Sequence, residues 1–337
     1  MPRLSVIMSV YNEASFLADS IESILDQRYT DFEFIIVDDG STDSSVEIVS
    51  HYEKSDSRIC VIRQENTGLT VALNIALQKA SGEYIARMDA DDISLPERFA
   101  TQVAFMDANP EIAIVGSWVE LIEDNFLNNK IRTFPADDAS IRCHMLFYNP
   151  LMHPTIMVRK AIFEQSDLRY DPSFRRAQDY DLWERASAHT CFANITRPLL
   201  NYRIHERQIS KQNQNEQNTF AVIVRTRMLA RLGLKAAPIH EALANSRFEA
   251  NRAFVTASET WLRILRDANR HVSIFPKQEF STVVGTYWFR TCNSAASLGL
   301  WTWLQFIKSP LNFGTNRSWR QRMRLARSCL RSYATLI

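Results

Sequence analysis

Between residues 4 and 89, short segments rich in valine and isoleucine alternate with amphipathic ones, and no other feature of the chain limits its fold so tightly. "LSVIMSV" (4–10), "FEFIIVD" (32–38), "ICVIR" (59–63) and "EYIARMD" (83–89) read as strands, the first two apolar enough to be covered on both faces. "ASFLADSIESILDQ" (14–27), "SSVEIVSHYEK" (44–54) and "TVALNIALQKA" (70–80) carry apolar residues at three- and four-residue steps, as at Phe16, Ile21, Ile24 and Leu25. Such alternation predicts an α/β fold, a mostly parallel sheet flanked by helices. Ligands of open parallel sheets bind beyond the carboxyl ends of the strands. Here those ends are "YNE" (11–13), "DDGSTD" (38–43), "QENTGLT" (64–70) and "DADD" (89–92), all polar. One crevice should collect them.

The last of these crowds Asp89, Asp91 and Asp92 into four positions. Carboxylates repel, so the cluster either caps the segment that follows or awaits a cation. A hard divalent ion such as Mg²⁺ or Mn²⁺ takes oxygen ligands and typically keeps waters and substrate phosphates. The position at a strand end, beside other acidic strand ends, favours the metal.

Farther on, "EIAIVGSWVELI" (111–122), "PTIMVRK" (154–160) and "CFANI" (191–195) read as strands and "QDYDLWERASA" (178–188) as a helix. An Asn/Gln-rich linker, "KQNQNEQN" (211–218), leads into a helical remainder whose end is rich in arginine: Arg317, Arg320, Arg322, Arg324, Arg327 and Arg331. The expected domains are therefore 1–210, binding and catalytic, and 211–337, helical.

With 337 residues, 46% of them hydrophobic and 23% charged, the chain suits a large globular domain with an appendage. A net charge of +1 supplies no global field to recruit nucleic acid. Cys60, Cys143, Cys191, Cys292 and Cys329 are odd in number and never spaced as a pair, which points to reduced thiols and a cytoplasmic setting. "LSVIMSV" runs into "YNE" without a cleavage site, and the most apolar later stretch (281–307) is broken by Arg290 and Asn293. A spanning helix needs roughly 20 apolar residues in a row, so no span is expected.

"SVIMSVYNE", "FEFIIVDDGSTDSS", "ENTGLTVALNIAL", "SGEYIARMDADD", "LPERF" and "QDYDLW" together, in this order, resemble family 2 inverting glycosyltransferases with the GT-A (Rossmann-like) fold, over about residues 4–205. The resemblance implies a nucleotide-sugar donor, a divalent metal (Mn²⁺ or Mg²⁺) and an acceptor hydroxyl. It implies that the nucleotide lies over Val10, Tyr11, Glu13 and Asp39, with Asn66 and Gly68 lining the pocket. Asp39 suits the N–H edge of uracil, which with the family's habit favours UDP, although Asp38 and Asp39 also fit a turn closed by Asp43 or Ser41. The start of the helix after Gly68 offers backbone N–H groups to an anion, and Asn74 there suits packing or function alike.

In "RMDADD", the resemblance sets Asp89 and Ala90 by the ribose or the metal's water shell and Asp91 on the metal, with Asp92 less favoured. Arg87 is left to touch phosphate or to pair with a carboxylate. Asp179 would be the base. The residue before it is Gln178 where family members usually have glutamate, a departure that bears on acceptor binding. A single displacement needs only one carboxylate base. Asp181 would face elsewhere, in a structural role. His205, in "NYRIHERQIS", resembles a histidine that completes the metal site. His153 suits packing or acceptor contact, and Arg203 phosphate contact or an ion pair.

The implied partners are a nucleotide-sugar donor and a saccharide or lipid-linked saccharide acceptor, in assembly of exopolysaccharide, capsule or lipopolysaccharide, without nucleic acid. A homodimer and a peripheral contact at the inner membrane face stay open. Trp288, Trp301 and Trp303 beside the arginine-rich tail suit an interfacial helix, yet they suit the core of a helical subdomain somewhat better. Donor and acceptor specificity are expected in 117–130 and 165–178. A sugar-phosphate nucleotidyltransferase would carry a glycine- and arginine-rich loop where "VYNEASF" stands. A non-catalytic scaffold that binds the nucleotide-sugar would have had no need of both Asp91 and Asp179.

Overall fold

A computed structural model describes residues 1–123, 126–166, 168–205, 208, 214–246, 251–314 and 318–334. Arg317, the start of the expected linker, the 210/211 boundary and parts of both specificity segments lie outside the described residues.

In chain order the elements are β1 (Leu4–Val10), α1 (Leu17–Leu25), β2 (Phe32–Asp38), α2 (Ser45–Ser55), β3 (Ile59–Arg63), α3 (Leu69–Lys79), β4 (Tyr84–Met88), β5 (Ile93–Ser94), α4 (Arg98–Ala108), β6 (Ile112–Glu123), β7 (Phe126–Arg132), α5 (Asp138–Met145), β8 (Met157–Arg159), α6 (Ala161–Gln165), α7 (Gln178–Ala186) and β9 (Cys191–Ile204). Then follow the helices α8 (Gln214–Arg231), α9 (Pro238–Asn245), α10 (Arg252–Val272), α11 (Lys277–Ser294), α12 (Leu300–Lys308) and α13 (Trp319–Ala334). The chain divides into two compact units. One comprises Met1–Ile141 and Asn149–Ala221, the other Arg142–Tyr148 and Val222–Ile337.

The first unit is built on one sheet of order β3-β2-β1-β4-β8-β6-β9-β5, with β7 paired to β6. Its long ladders, β1 with β2 and β4, β2 with β3, and β6 with β9, are parallel. The short β8 and β5 join antiparallel. The pairings Val10↔Asp38 and Asp38↔Arg63 align the carboxyl ends of β1, β2 and β3, so the polar loops after them open on one edge. Val6, Met8, Phe34 and Ile36 are fully buried in a core closed from α1 by Leu17, Ile21 and Ile24. Burying an aliphatic chain of this size contributes about 1.5–3 kcal/mol, which fixes the register of the parallel strands and the edge on which their loops emerge.

Two elements differ from the sequence reading. The short strand at 191–195 is a fourteen-residue β9 that runs past Pro198 to Ile204. Proline cannot donate to a ladder, and the pairing with β6 shifts register beside it. Residues 214–218 of the expected linker begin the helix α8.

In the second unit, α10 carries Val255, Trp261, Leu262 and Leu265 on its buried face, and α11 buries Tyr287 and Trp288. Trp288 is therefore core. Among the described residues no helix is long and apolar enough to cross a membrane.

A candidate nucleotide-sugar and metal site

Hydrogen bonds stitch the loops at the strand ends together. Asn12, in the left-handed region at φ 56°, accepts from Thr42 N at 2.8 Å and donates its own backbone N–H to Ser41 Oγ at 3.1 Å. Asparagine tolerates that conformation better than most residues. Glu13 N donates to Ser45 Oγ at 2.9 Å, and Asp43 accepts from Ala14 N and Ser45 N. Val10 is buried and Tyr11 exposed.

Asp39 is buried and closes the neighbouring turn. Its Oδ1 accepts from Gln64 Nε2 at 2.7 Å and Thr67 N at 2.9 Å, while Oδ2 accepts from Gly68 N at 2.8 Å. The anion at the start of α3 is thus the protein's own carboxylate. Gly68 needs its φ of +94° to turn into the helix, and a Cβ at Gly40 would lie 2.8 Å from Asn66 N. Asn74 joins a more distant loop, accepting from Tyr170 N at 3.0 Å and donating to Tyr170 O at 2.8 Å.

Asp89, Asp91 and Asp92 gather after β4, with one oxygen of each within 4.8 Å of the others. The turn is held from below by Ser20 on α1, whose hydroxyl contacts Ala90 O at 2.9 Å and Asp92 O at 2.7 Å. It is held from the side by the end of β9. Arg203 N donates to Asp92 Oδ1 at 2.9 Å, Arg203 Nε donates to Asp91 O at 2.8 Å, and His205 Nε2 lies 3.0 Å from Asp91 Oδ2. The unexpected length of β9 is what brings Arg203 and His205 here.

Arg203 is buried, its guanidinium also reaching Asp19 Oδ2 at 3.3 Å and lying 4.6 Å from the Phe16 ring centre. It braces the turn from a buried position and pairs with the largely exposed Asp19. Burial, then Asp91 and Asp89, raises the Asp92 carboxyl well above its usual range, and its Oδ2 has no hydrogen-bond partner among the described residues. Burial and Asp91 push Glu13 up to about 7, against the pull of His205, so Glu13 stands in the field of the acidic cluster. A buried carboxylate oxygen without a partner, two further carboxylates and an imidazole make a donor set that fits a hard divalent cation.

Arg87 is buried at the end of β4 and donates to Asp89, while its Nε and Nη1 have no partner among the described residues. Arg98, also buried, braces it from behind by donating to the Arg87 carbonyl at 2.8 Å.

Asp179 lies in the first turn of α7, entered through Ala177 at φ 52° and ψ 26°. A left-handed alanine costs roughly 1–2 kcal/mol, here set against a buried Gln178 and the first turn it launches. Burial raises the Asp179 carboxyl to about 6. The Tyr180 N–H and Arg87 pull it down, and Asp89 pushes it up. Its Oδ2 accepts from Asn149 Nδ2 at 2.7 Å. Asp181 is fully buried and bound to Arg185 at 2.7 Å, closed off from this crevice. His153 is buried, 2.8 Å from the Tyr170 hydroxyl, and burial drops its pKa well below the usual histidine value, so it packs as a neutral ring.

Asn149, Ser20 and Arg98 were not singled out from the sequence. Arg98 lies in "LPERF", while Ser20 and Asn149 offer only a polar residue on a helix or beside a proline.

The chain matches the family described as Glycosyl transferase family 2 over residues 5–200. It is 36% identical over 214 residues to the O-antigen biosynthesis glycosyltransferase WbnJ of Escherichia coli, a match covering 62% of this chain and 82% of that protein. It is 39% identical over 188 residues to the putative glycosyltransferase EpsE of Bacillus subtilis, covering 55% and 66%. Among solved structures, S. aureus TarS 1-349 in complex with UDP-GlcNAc aligns with a TM-score of 0.55 at 18% identity, over 99% of this chain and 92% of that one. The mannosyltransferase PcManGT from Pyrobaculum calidifontis, in complex with GDP-Man and Mn²⁺, aligns at 0.52 and 17%, over 97% and 86%. At these identities the likeness is one of fold.

Proposed function

This chain belongs to glycosyl transferase family 2 and has the GT-A fold, and from that premise we propose that it moves a sugar from a nucleotide-diphosphate donor to an acceptor hydroxyl by one inverting displacement. The observation that carries the reading is the company of Asp179. A carboxyl raised to about 6 feels both Arg87 and Asp89, the two residues that lead into the acidic cluster. Base and leaving-group machinery thus act on the same small space.

Asp179 takes the proton of the acceptor hydroxyl as that oxygen attacks the anomeric carbon from the face opposite the diphosphate. Asn149 holds one carboxylate oxygen and so fixes the orientation of the base. The buried N–H groups of Arg87, without a partner among the described residues, suit a phosphate oxygen in chemistry. Asp91, Asp89, Asp92 and His205 would hold Mn²⁺ or Mg²⁺, which when bound neutralises charge on the departing diphosphate. Val10, Tyr11, Glu13, Asn66 and Gly68 border the nucleotide. Asp39 orders the turn under it and keeps part of its acceptor capacity for a base N–H. UDP is the favoured nucleotide, in line with the UDP-GlcNAc held by TarS.

The acceptor is a saccharide or lipid-linked saccharide of a surface polysaccharide, in line with the O-antigen role named for WbnJ. The reaction then belongs at the cytoplasmic side, where nucleotide-sugars are made.

Calorimetric titration of UDP, GDP and dTDP, each with and without Mn²⁺, into wild type and Asp91→Ala tests the reading. Metal-dependent binding of one nucleotide, lost in the variant, is expected. Metal-independent binding, or none with any of the three, would return the acidic cluster to the role of a capped loop.

A further inference from the structure

Beyond Glu279 the sequence contains no Asp or Glu and eight Lys or Arg, although the whole chain balances at +1. The preceding residues are therefore net acidic, and the positive charge is segregated to the second unit. α13 sorts that charge further. Leu325 and Cys329 are buried, and the helix packs on α12. Arg320, Arg324, Arg327 and Arg331, at steps of four, three and four, form one exposed stripe. Beside it, Trp319, Met323 and Leu330 form a second stripe, exposed by 70%, 44% and 53%. The tryptophans singled out in the sequence are not this surface. Trp288 is core and Trp301 is half-buried beneath Arg252.

We infer that α13 docks on an anionic phospholipid surface, its arginines on the headgroups and Trp319, Met323 and Leu330 in the boundary between headgroups and acyl chains. The pairing of stripes selects the occupant. A nucleic acid satisfies arginines but gives exposed apolar side chains nothing to enter. A second copy of the chain would bring one arginine stripe against another. A bilayer interface takes both, because a helix lying in its plane buries one face and presents cations to acidic lipid. The helix has sixteen residues and is not apolar enough to span, so it lies on the surface.

The inference is independent of the donor reading, and its test needs no turnover. Full-length protein is sedimented with vesicles of phosphatidylcholine alone and with phosphatidylglycerol added. Binding to the anionic vesicles only, weakened by salt, is expected. Arg320→Glu with Arg324→Glu lowers the vesicle affinity on the order of tenfold or more. Trp319→Ser with Met323→Ser lowers it severalfold while the charge is unchanged. All four positions are exposed, so both variants keep the wild-type circular dichroism and melting temperature. Equal binding to neutral and anionic vesicles, or binding to neither, overturns the inference. So does a serine variant that binds like wild type while a DNA duplex competes with the vesicles, which would mark a general polyanion site. Concentration-dependent dimerisation lost with Trp319→Ser overturns it in favour of a second copy.

Discussion

Asn149 Nδ2 donates to Asp179 Oδ2 at 2.7 Å, and Asn149 Oδ1 accepts from Leu151 N at 3.2 Å, so the second bond fixes which end of the amide faces the carboxylate. A donor on a carboxylate favours its charged form. Asp179 already titrates near 6 because it is desolvated. Removing the donor moves it higher, and less of the base is ionised at neutral pH. In Asn149→Ala the acid limb of kcat/KM shifts upward by about one pH unit or more, with much of the rate recovered at high pH. A lowered rate with an unmoved limb would make Asn149 a mere packing residue. Asp179→Asn loses about 10²–10⁴-fold at every pH.

The acidic cluster gives a graded prediction for metal binding. Asp91→Asn abolishes Mn²⁺-dependent nucleotide binding. Ser20→Ala removes no ligand but releases two carbonyls of the turn. Residues that orient ligands typically affect metal affinity by about 10–100-fold, and that loss is expected for Ser20→Ala, read as the Mn²⁺ concentration giving half-maximal UDP binding. An unchanged value would mean that the turn holds its shape without Ser20.

Arg203 and Asp181 separate stability from chemistry. Arg203→Met keeps the bulk of the side chain but leaves Asp91 O and Asp19 without their donor, and hydrogen bonds to charged groups each contribute about 1.5–3 kcal/mol. The bond to the largely exposed Asp19 is screened and contributes little, so urea unfolding should show a loss of about 2–3 kcal/mol with an unchanged slope. Asp181→Ala should cost about 2 kcal/mol by removing the carboxylate that Arg185 Nε and Nη2 share, leaving the guanidinium, among the described residues, only its bond to Arg169 O. Its catalytic pH profile should stay where the wild type has it, in contrast with Asn149→Ala.

What the sequence conveyed and what it withheld divide along the kind of interaction. The short Val- and Ile-rich runs and the three- and four-residue apolar steps between them in residues 4–89 were enough to find β1 to β4 and the intervening helices, because apolar burial writes itself into the pattern. Asp91 stood out by its place at the end of one of those strands, whereas Asp179 was singled out only by the family resemblance of the segment around it. β9 was cut short in the reading because its apolar pattern stops at Thr196, Arg197 and Pro198, while its remainder is held by pairing with β6. The reading of Arg203 stayed divided between phosphate contact and an ion pair because burial of a guanidinium depends on acceptors more than a hundred residues away in sequence. The turn-closing bonds of Asp39 go to backbone N–H groups of Thr67 and Gly68, which leave no trace in residue types.

His240 ties the second unit to acid stability. It is fully buried, with Nε2 2.9 Å from Leu146 O and Trp261 Nε1 donating to Nδ1 at 3.1 Å. Burial lowers its pKa from 6.5 to about 4. The sign follows from proton uptake. Between these values the unfolded chain binds a proton that the folded chain does not, so folding weakens as pH falls from about 6.5 and stops weakening below about 4. The slope approaches about 1.4 kcal/mol per pH unit, and the whole window amounts to about 3 kcal/mol. His240→Gln can still accept from Trp261 and donate to Leu146 but does not titrate. Urea midpoints of the variant between pH 7 and 4 should therefore fall less steeply than those of wild type. Parallel pH dependences would place the acid sensitivity elsewhere, with His153, also buried and neutral, as the next residue to replace.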